Sequence, residues 1–472
     1  MVKRILAVVA VLSVTILSAQ AEPLQSTIDG QKNVEITIYN SNLGLVKDVR
    51  DIDIPSGAGE VKFMDVAAHI MPETVHIKEL GGDKGFSVLE QNYEYDLINN
   101  DKLLDKYVGK KVKLVDFNQY QDRKETVDAE LLSNNNGQVY RINGEIYLGY
   151  PGYKILPEIP QNLIAKPTLT WLYENKTAGN KKLEVSYLTN GVGWKADYIM
   201  VINGDDTSSD ISGWVTVNNT SGATFKDARM KLVAGDVNRV REPEVQYAVS
   251  MTLSAGYAGK AAQFEEKEFF EYHIYDLSRP TTIKDNQTKQ VSLLEAGGVA
   301  IKKELIVAPN RPFFSKASED YKEKVPVKVS IKFKNDKASL MGMPLPAGTI
   351  RLYKADKDGS LQFAGEDKIG HTPKDEEVTV KVGEAFDIAA EKAQLDFQQL
   401  SRNKFESEWE TTIRNHKKEA VNIGVVETLP PTWQMISKSH EFTKLSADKI
   451  RFDLNVPADG EVKVKYRIQV GI

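Results

Sequence analysis

At roughly 150 residues per domain, the 472-residue chain is long enough for two to four domains, and its 41% apolar and 27% charged content is that of an ordinary globular protein. Lys and Arg total 61 against 66 Asp and Glu, a formal net charge of −5 with no basic block, which argues against a nucleic-acid partner. Cysteine is absent, which excludes disulfides, thiolate nucleophiles, Cys-ligated zinc, iron–sulfur clusters and lipid attached through sulfur.

The N-terminus carries Lys3 and Arg4, an apolar run from Ile5 to Leu17, and Ser18-Ala19-Gln20-Ala21, the pattern of a secretory signal cleaved before Glu22. The apolar run is about 13 residues where a membrane span needs about 20. Residues 1–21 are therefore expected to be a signal peptide, and the chain to be periplasmic or secreted, at most peripheral to the outer membrane. No later segment reads as a transmembrane anchor.

Beyond it the chain reads as all-β. Residues 22–95 are strand-like, punctuated by Pro55-Ser56-Gly57 and Gly81-Gly82, and predict a small N-terminal β domain. Residues 96–150 combine a short helix around Leu103 and Leu104 with short strands, the order of a small SH3-like barrel insert. Pro151, Pro157, Pro160 and Pro167 mark 151–167 as an extended linker. Period-two alternation then recurs, as in Val327, Val329, Ile331 and Phe333 or Val462, Val464, Tyr466 and Ile468. Turn pairs Asn190-Gly191, Asp358-Gly359 and Asp459-Gly460 separate the strands. The expected architecture is a tandem of antiparallel, immunoglobulin-like β-sandwiches, 168–340 and 341–472. The run 242–268, rich in small residues and ending in Glu265, Glu266 and Glu268, is expected to be a mobile insertion.

Tyr187-Leu188-Thr189-Asn190-Gly191-Val192-Gly193-Trp194-Lys195-Ala196-Asp197-Tyr198 resembles the signature of the secreted bacterial family called Domain of Unknown Function 4139. Gly213-Trp214-Val215-Thr216-Val217-Asn218-Asn219, Lys231 to Val237, Leu345-Pro346-Ala347-Gly348 and His371 to Glu376 extend the resemblance from about Leu183 to the C-terminus. Tyr39 to Val75 resembles the N-terminal module of mucoidy-inhibitor-like proteins, although 100–150 lacks the heptads of their coiled coil. The resemblance implies an all-β envelope protein and transfers no catalytic residue. Within the signature, Asn190 and Gly191 suit a turn, Gly193 a close backbone approach and Trp194 a core anchor.

No H-E-x-x-H, G-x-S-x-G, G-x-G-x-x-G or P-loop pattern is present, so the reading leans towards a non-enzyme. His371 with Asp375 is the nearest approach to an acid–base pair, across a turn opened by Pro373. Tyr150, Tyr153 and Trp171 are candidates to stack on a sugar, with Glu145 and Glu158 nearby in sequence. Asp205, Asp206 and Asp210 share a loop whose oxygens suit calcium, and turn formation is the competing reading. No other cofactor is expected. The function expected from this pattern is a non-enzymatic binding or assembly module of the cell envelope, with an envelope protein or glycan as partner. A periplasmic glycan- or peptide-binding protein or hydrolase is the alternative.

Overall fold

The computed structural model describes residues 23–471 except 82–84, 97, 119–122, 161–162, 165, 236, 239–262, 311–313, 318–320 and 357. The expected signal peptide lies outside the described residues, as does 242–262 of the expected insertion. The end of that segment, read as loop, is instead strand from Phe264 to Phe269.

The regular structure of the described residues is nearly all strand, with one α-helix, and they form two compact units. The first comprises the described residues up to Glu35, Leu45–Asn190 and Ser221–Phe225; the second comprises Ile36–Gly44, Gly191–Thr220 and the chain from Lys226 on. In chain order the strands begin with β1 (Leu24–Ser26), β2 (Gln31–Tyr39), β3 (Leu43–Ile54), β4 (Gly57–Met64), β5 (His76–Glu79) and β6 (Phe86–Glu94). Helix α1 (Asn100–Tyr107) precedes β7 (Lys111–Asn118), β8 (Arg123–Ser133), β9 (Val139–Ile142), β10 (Glu145–Leu148) and β11 (Tyr153–Ile155). Strands β12 (Thr168–Asn175) and β13 (Gly179–Thr189) complete this part of the chain.

In the first unit β1, β4, β12 and β6 form one sheet in that order, and β5 pairs antiparallel with β13. Alternation explains its core. Val61 and Phe63 of β4 and Leu169 and Trp171 of β12 are fully buried, with the Phe63 and Trp171 rings 5.2 Å apart. Arg50 is buried among them because its charge is answered: its guanidinium lies 3.7 Å from the Phe63 ring centroid, donates twice to Asp48 Oδ2 and once to the Ser26 carbonyl.

The insert departs from its expected form. Its sheet runs β10-β9-β8-β7-β11 and is open, so it is not a barrel. Closure is unnecessary because α1, capped by Asn99 accepting the Lys102 amide, lays Leu104 and Tyr107 over Val112, Leu114, Leu131, Tyr140 and Ile142. The proline-rich stretch is more than a linker, since it contains β11, paired with β7.

The second unit continues with β14 (Val192–Ile202), β15 (Ser208–Asn219), β16 (Phe225–Ala234), β17 (Phe264–Phe269), β18 (Tyr272–Leu277), β19 (Thr281–Ile283) and β20 (Gln287–Val307). Then come β21 (Lys322–Val325), β22 (Val327–Lys334), β23 (Gly348–Ala355), β24 (Leu361–Ile369), β25 (Glu377–Glu384) and β26 (Ile388–Ser401). The last are β27 (Lys404–Asn415), β28 (Val421–Thr428), β29 (Thr432–Lys438), β30 (Phe442–Lys444), β31 (Lys449–Val456) and β32 (Gly460–Gly471).

The main sheet here runs β24-β23-β14-β15-β20-β28-β31-β30 and faces a second, β21-β26-β27-β32-β29, across a core built on Trp409, Tyr466, Phe452 and Ile413. Although most pairs are antiparallel as expected, β1·β4, β14·β23 and β20·β28 run parallel. Parallel pairing also crosses the boundary placed at 340. Strands β23 and β24 join β14, and the 21-residue β20 serves β15 along its first part and β22 and β28 along its last. Gly348 makes the β14·β23 pair feasible, because a Cβ there would fall 2.3 Å from the Ala196 carbonyl oxygen.

Asparagines close the corners. Asn175, Asn219, Asn335 and Asn415, each at or just past a strand end, are 0–1% exposed. The Asn415 side-chain amide donates to the Glu419, Val456 and Pro457 carbonyls at 2.8, 3.3 and 2.9 Å, and its oxygen accepts the Lys417 amide. Asn415→Ala leaves those carbonyls unanswered in the interior and is expected to cost about 2 kcal/mol or more in chemical denaturation, whereas Asn422→Ala, at an exposed site, should lie within about 0.5 kcal/mol of the parent.

Between the two facing sheets, Lys392 of β26 and Glu427 of β28 form an ion pair, both at most 1% exposed. Lys392 also donates to the Tyr466 hydroxyl at 3.3 Å and lies 5.1 Å from the Trp409 ring centroid, while Thr411 donates to Glu427. Lys392→Met strands a buried carboxylate and is expected to lose about 3–5 kcal/mol. The double variant Lys392→Met with Glu427→Leu should recover most of that loss in thermal unfolding.

Candidate binding surface

The residues singled out by sequence fall in separate places. His371 is exposed and its Nδ1 accepts the Ala347 amide, while Asp375 sits in the left-handed region, φ 66°, with its own amide on the Asn335 carbonyl. Both belong to the turn around Pro373 that leads into β25. Trp171 is a core residue, 0% exposed, whereas Tyr150 packs on the insert core and Tyr153 is 80% exposed on β11. No stacking platform of the three exists, because alternation on β12 sends Trp171 inward.

The three aspartates do not share one loop: Asp205 and Asp206 lie in the β14–β15 turn, whereas Asp210 is on β15. Asp205 accepts from Asn203 and Thr207, Asp206 is shared by Lys303 and Lys354, and Asp210 accepts the Gly298 amide at 2.9 Å. Two ammonium groups on Asp206 cancel the negative charge a calcium ion would need. Among the described residues no cluster of three His, Asp or Glu side chains has metal-binding proximity.

The signature residues have structural duties. Gly191 takes φ 82° in the turn into β14 and donates its amide to Asn42 Oδ1 at 2.9 Å, so that amide is not offered to an anion. Asn190 donates its amide to the His69 carbonyl. Around Gly193 there is room, since a Cβ would meet Asn42 only at 3.6 Å. Trp194, 5% exposed, donates from its indole to the Val233 carbonyl and meets Tyr275 edge-on.

What sequence did not foresee is a slot in the first unit. Among the described residues β5 pairs only with β13 and β6 only with β12, so each ends its sheet, and between these two edges lies a cavity of about 440 Å³ lined by Val75, His76, Ile77, Glu79 and Phe86 to Gln91. Side chains span it at both ends. Glu79 Oε2 accepts the Phe86 amide at 3.3 Å while Oε1 holds Lys181 at 2.9 Å. Gln91 donates to the Pro72 carbonyl and accepts from the Trp171 indole, each at 3.0 Å. In the pairing of β6 with β12 the register slips by one residue at Leu89, which is 56% exposed. The adjacent apolar pair Val88-Leu89 breaks the alternation and is the one signal in the sequence that points to this bulge.

A second cavity, about 380 Å³, lies where β20 meets β28. Its two carboxylates already have cationic partners: Glu304 faces Lys302, Lys332 and Arg451 at 3.4–3.6 Å, and Asp453 accepts from Arg451 at 2.7 Å.

Burial of Glu79 opposes its charge, but the Lys181 bond, the Phe86 amide and the Lys181 charge outweigh that, and its carboxyl stays below the ordinary value. A lowered carboxyl stabilises the fold above its unfolded value, about 4.3, and loses that contribution as pH falls through the folded value. Glu79→Gln is therefore expected to be less stable by about 2 kcal/mol at neutral pH, with the difference closing below about pH 4 in urea denaturation followed across pH.

Among the described residues no helix is long and apolar enough to cross a membrane. No curated protein matches the chain. A family model described as a domain of unknown function, DUF4139, matches residues 183–470, most of the chain, and the chain belongs to that family.

Proposed function

We propose that this chain is a non-enzymatic binding or assembly module of the cell envelope, and that the β5–β6 slot takes an extended polypeptide segment by strand addition. The observation that carries the reading is two strand edges facing one another with no strand of the described residues between them. A sheet edge leaves alternate N–H and C=O groups unpaired, and an extended main chain is the ligand that answers both sides together. The reading of envelope location rests on Lys3, Arg4 and the apolar run ending in Ser18-Ala19-Gln20-Ala21.

The bond from the Phe86 amide to Glu79 shows which amides face the slot, and Val88 has the same sense two residues on. A photoreactive residue at Leu89 is expected to crosslink in cells to one polypeptide, and none at fully exposed Phe386 to the same partner. A synthetic peptide of the crosslinked segment should then protect β5 and β6 amides from hydrogen exchange. Val88→Pro, which removes a slot-facing donor, should weaken that peptide at least about tenfold in calorimetry, the loss of roughly one hydrogen bond. A glycan adduct, or a peptide that leaves β5 and β6 unprotected, overturns the reading.

A further inference from the structure

Strand β10 is an edge of a different kind from β5 and β6. It reads Glu145-Ile146-Tyr147-Leu148 and every residue is exposed, with Ile146 at 55%, Tyr147 at 39% and Leu148 at 87%. Soluble proteins blunt such edges with Lys, Pro, bulges or short length. The opposite edge of the same sheet is blunted: β11 is three residues long, carries Lys154, and follows Pro151 and precedes Pro157. By contrast β10, at four residues also short, has no Lys, no Pro and no register shift against β9.

Its hydrogen-bonding sense follows from the hairpin that makes it. Asn143 and Gly144 both have positive φ, 51° and 89°, in a two-residue turn. Glu145 faces Ile142, Tyr147 faces Tyr140, and the Gly149 amide donates to the Gln138 carbonyl at 2.7 Å. Odd-numbered residues thus bond to β9, and the N–H and C=O groups of Ile146 and Leu148 point away from the sheet.

We infer that β10 pairs antiparallel with β10 of a second copy, joining two five-stranded sheets about a two-fold axis at Tyr147. The strand is complementary to itself in that register. Ile146 and Leu148 form hydrogen-bonded pairs with Leu148 and Ile146 of the second copy, using the outward groups of both chains, and Tyr147 faces its own copy in the non-bonded pair between them. The four aliphatic side chains meet on one face, and the two tyrosines on the other, where Tyr147 continues the layer begun by buried Tyr140. The one charged residue, Glu145, falls opposite Gly149 of the second copy, so no like charges meet. This contact is independent of the slot between β5 and β6.

The absence of cysteine makes the register directly testable in the full chain. In the proposed pairing the two Tyr147 Cα atoms lie about 4.5 Å apart, within disulfide range, while the two Leu148 Cα atoms are about 8 Å apart, beyond it. Tyr147→Cys is expected to give a covalent dimer on mild oxidation at least about tenfold faster than Leu148→Cys. Ile146→Pro removes an outward donor and spares the ladder to β9. It should shift sedimentation from a concentration-dependent dimer to monomer with an unchanged circular dichroism spectrum. A chain monomeric at every concentration, equal crosslinking at the two cysteines, or open-ended oligomers from β10 meeting another edge would each overturn the inference.

Discussion

Every sheet that turns a corner in a dry interior leaves main-chain carbonyls pointing where no strand can reach them, and this chain answers them with buried asparagines. Asn175 donates to the Ile54, Pro55 and Thr177 carbonyls, Asn219 to Ile283 and Lys284, and Asn335 to Met343 and Pro373. Asn415 does the same at its own corner. Asparagine suits the position because its side chain is short and presents two donors and an acceptor in one plane. Serine has too few donors, and glutamine has a further rotor to immobilise. With no disulfide available, these clasps and the cores between sheets hold the ends of the sandwiches in place.

Alternation made individual strands legible. Val327 to Phe333 and Val462 to Val470 lie on strands as their period predicts, and the Asp358-Gly359 and Asp459-Gly460 turns sit where the strands reverse. Partnership was not legible, because period two reports which side of a strand is dry and nothing about its neighbour. Hence the parallel pairing of β14 with β23 across the expected domain boundary, and the sharing of β20 between neighbours on both sides, came only with the structure. Val217-Asn218-Asn219 and Ile413-Arg414-Asn415 both end in an asparagine, and the common role of Asn219 and Asn415 is visible only once the carbonyls they meet are in place.

Candidate sites were less legible than strands, for a related reason. A carboxylate in a loop reads the same whether it faces a metal, a lysine or water, and Asp206 turned out to face Lys303 and Lys354. An aromatic reads the same whether it lines a surface or fills a core, and Trp171 fills one. Recognition by an unpaired main-chain edge leaves almost no mark on side-chain type, which is why the slot beside Leu89 had only a broken alternation to announce it. Edges are also treated unequally across the molecule: β11 carries Lys154 and is flanked by proline, while β10 has neither Lys nor Pro and exposes Ile146, Tyr147 and Leu148.

The segment Ile36–Gly44 leads the second unit in sequence, yet the rest of that unit begins only at Gly191. Within the unit, β14 must find β23, and Ala196 its partner Gly348, across most of the intervening chain. Contacts this distant make the transition state slow to reach, because loop closure has to precede the hydrogen bonds that reward it. A chain made from its N-terminus can close β2 on β3 early, but the rest of the second unit waits for residues after Gly191. The first unit, built from residues up to Phe225, has all its strands before the β14·β23 pair of the second can close, so connectivity orders the two units in time.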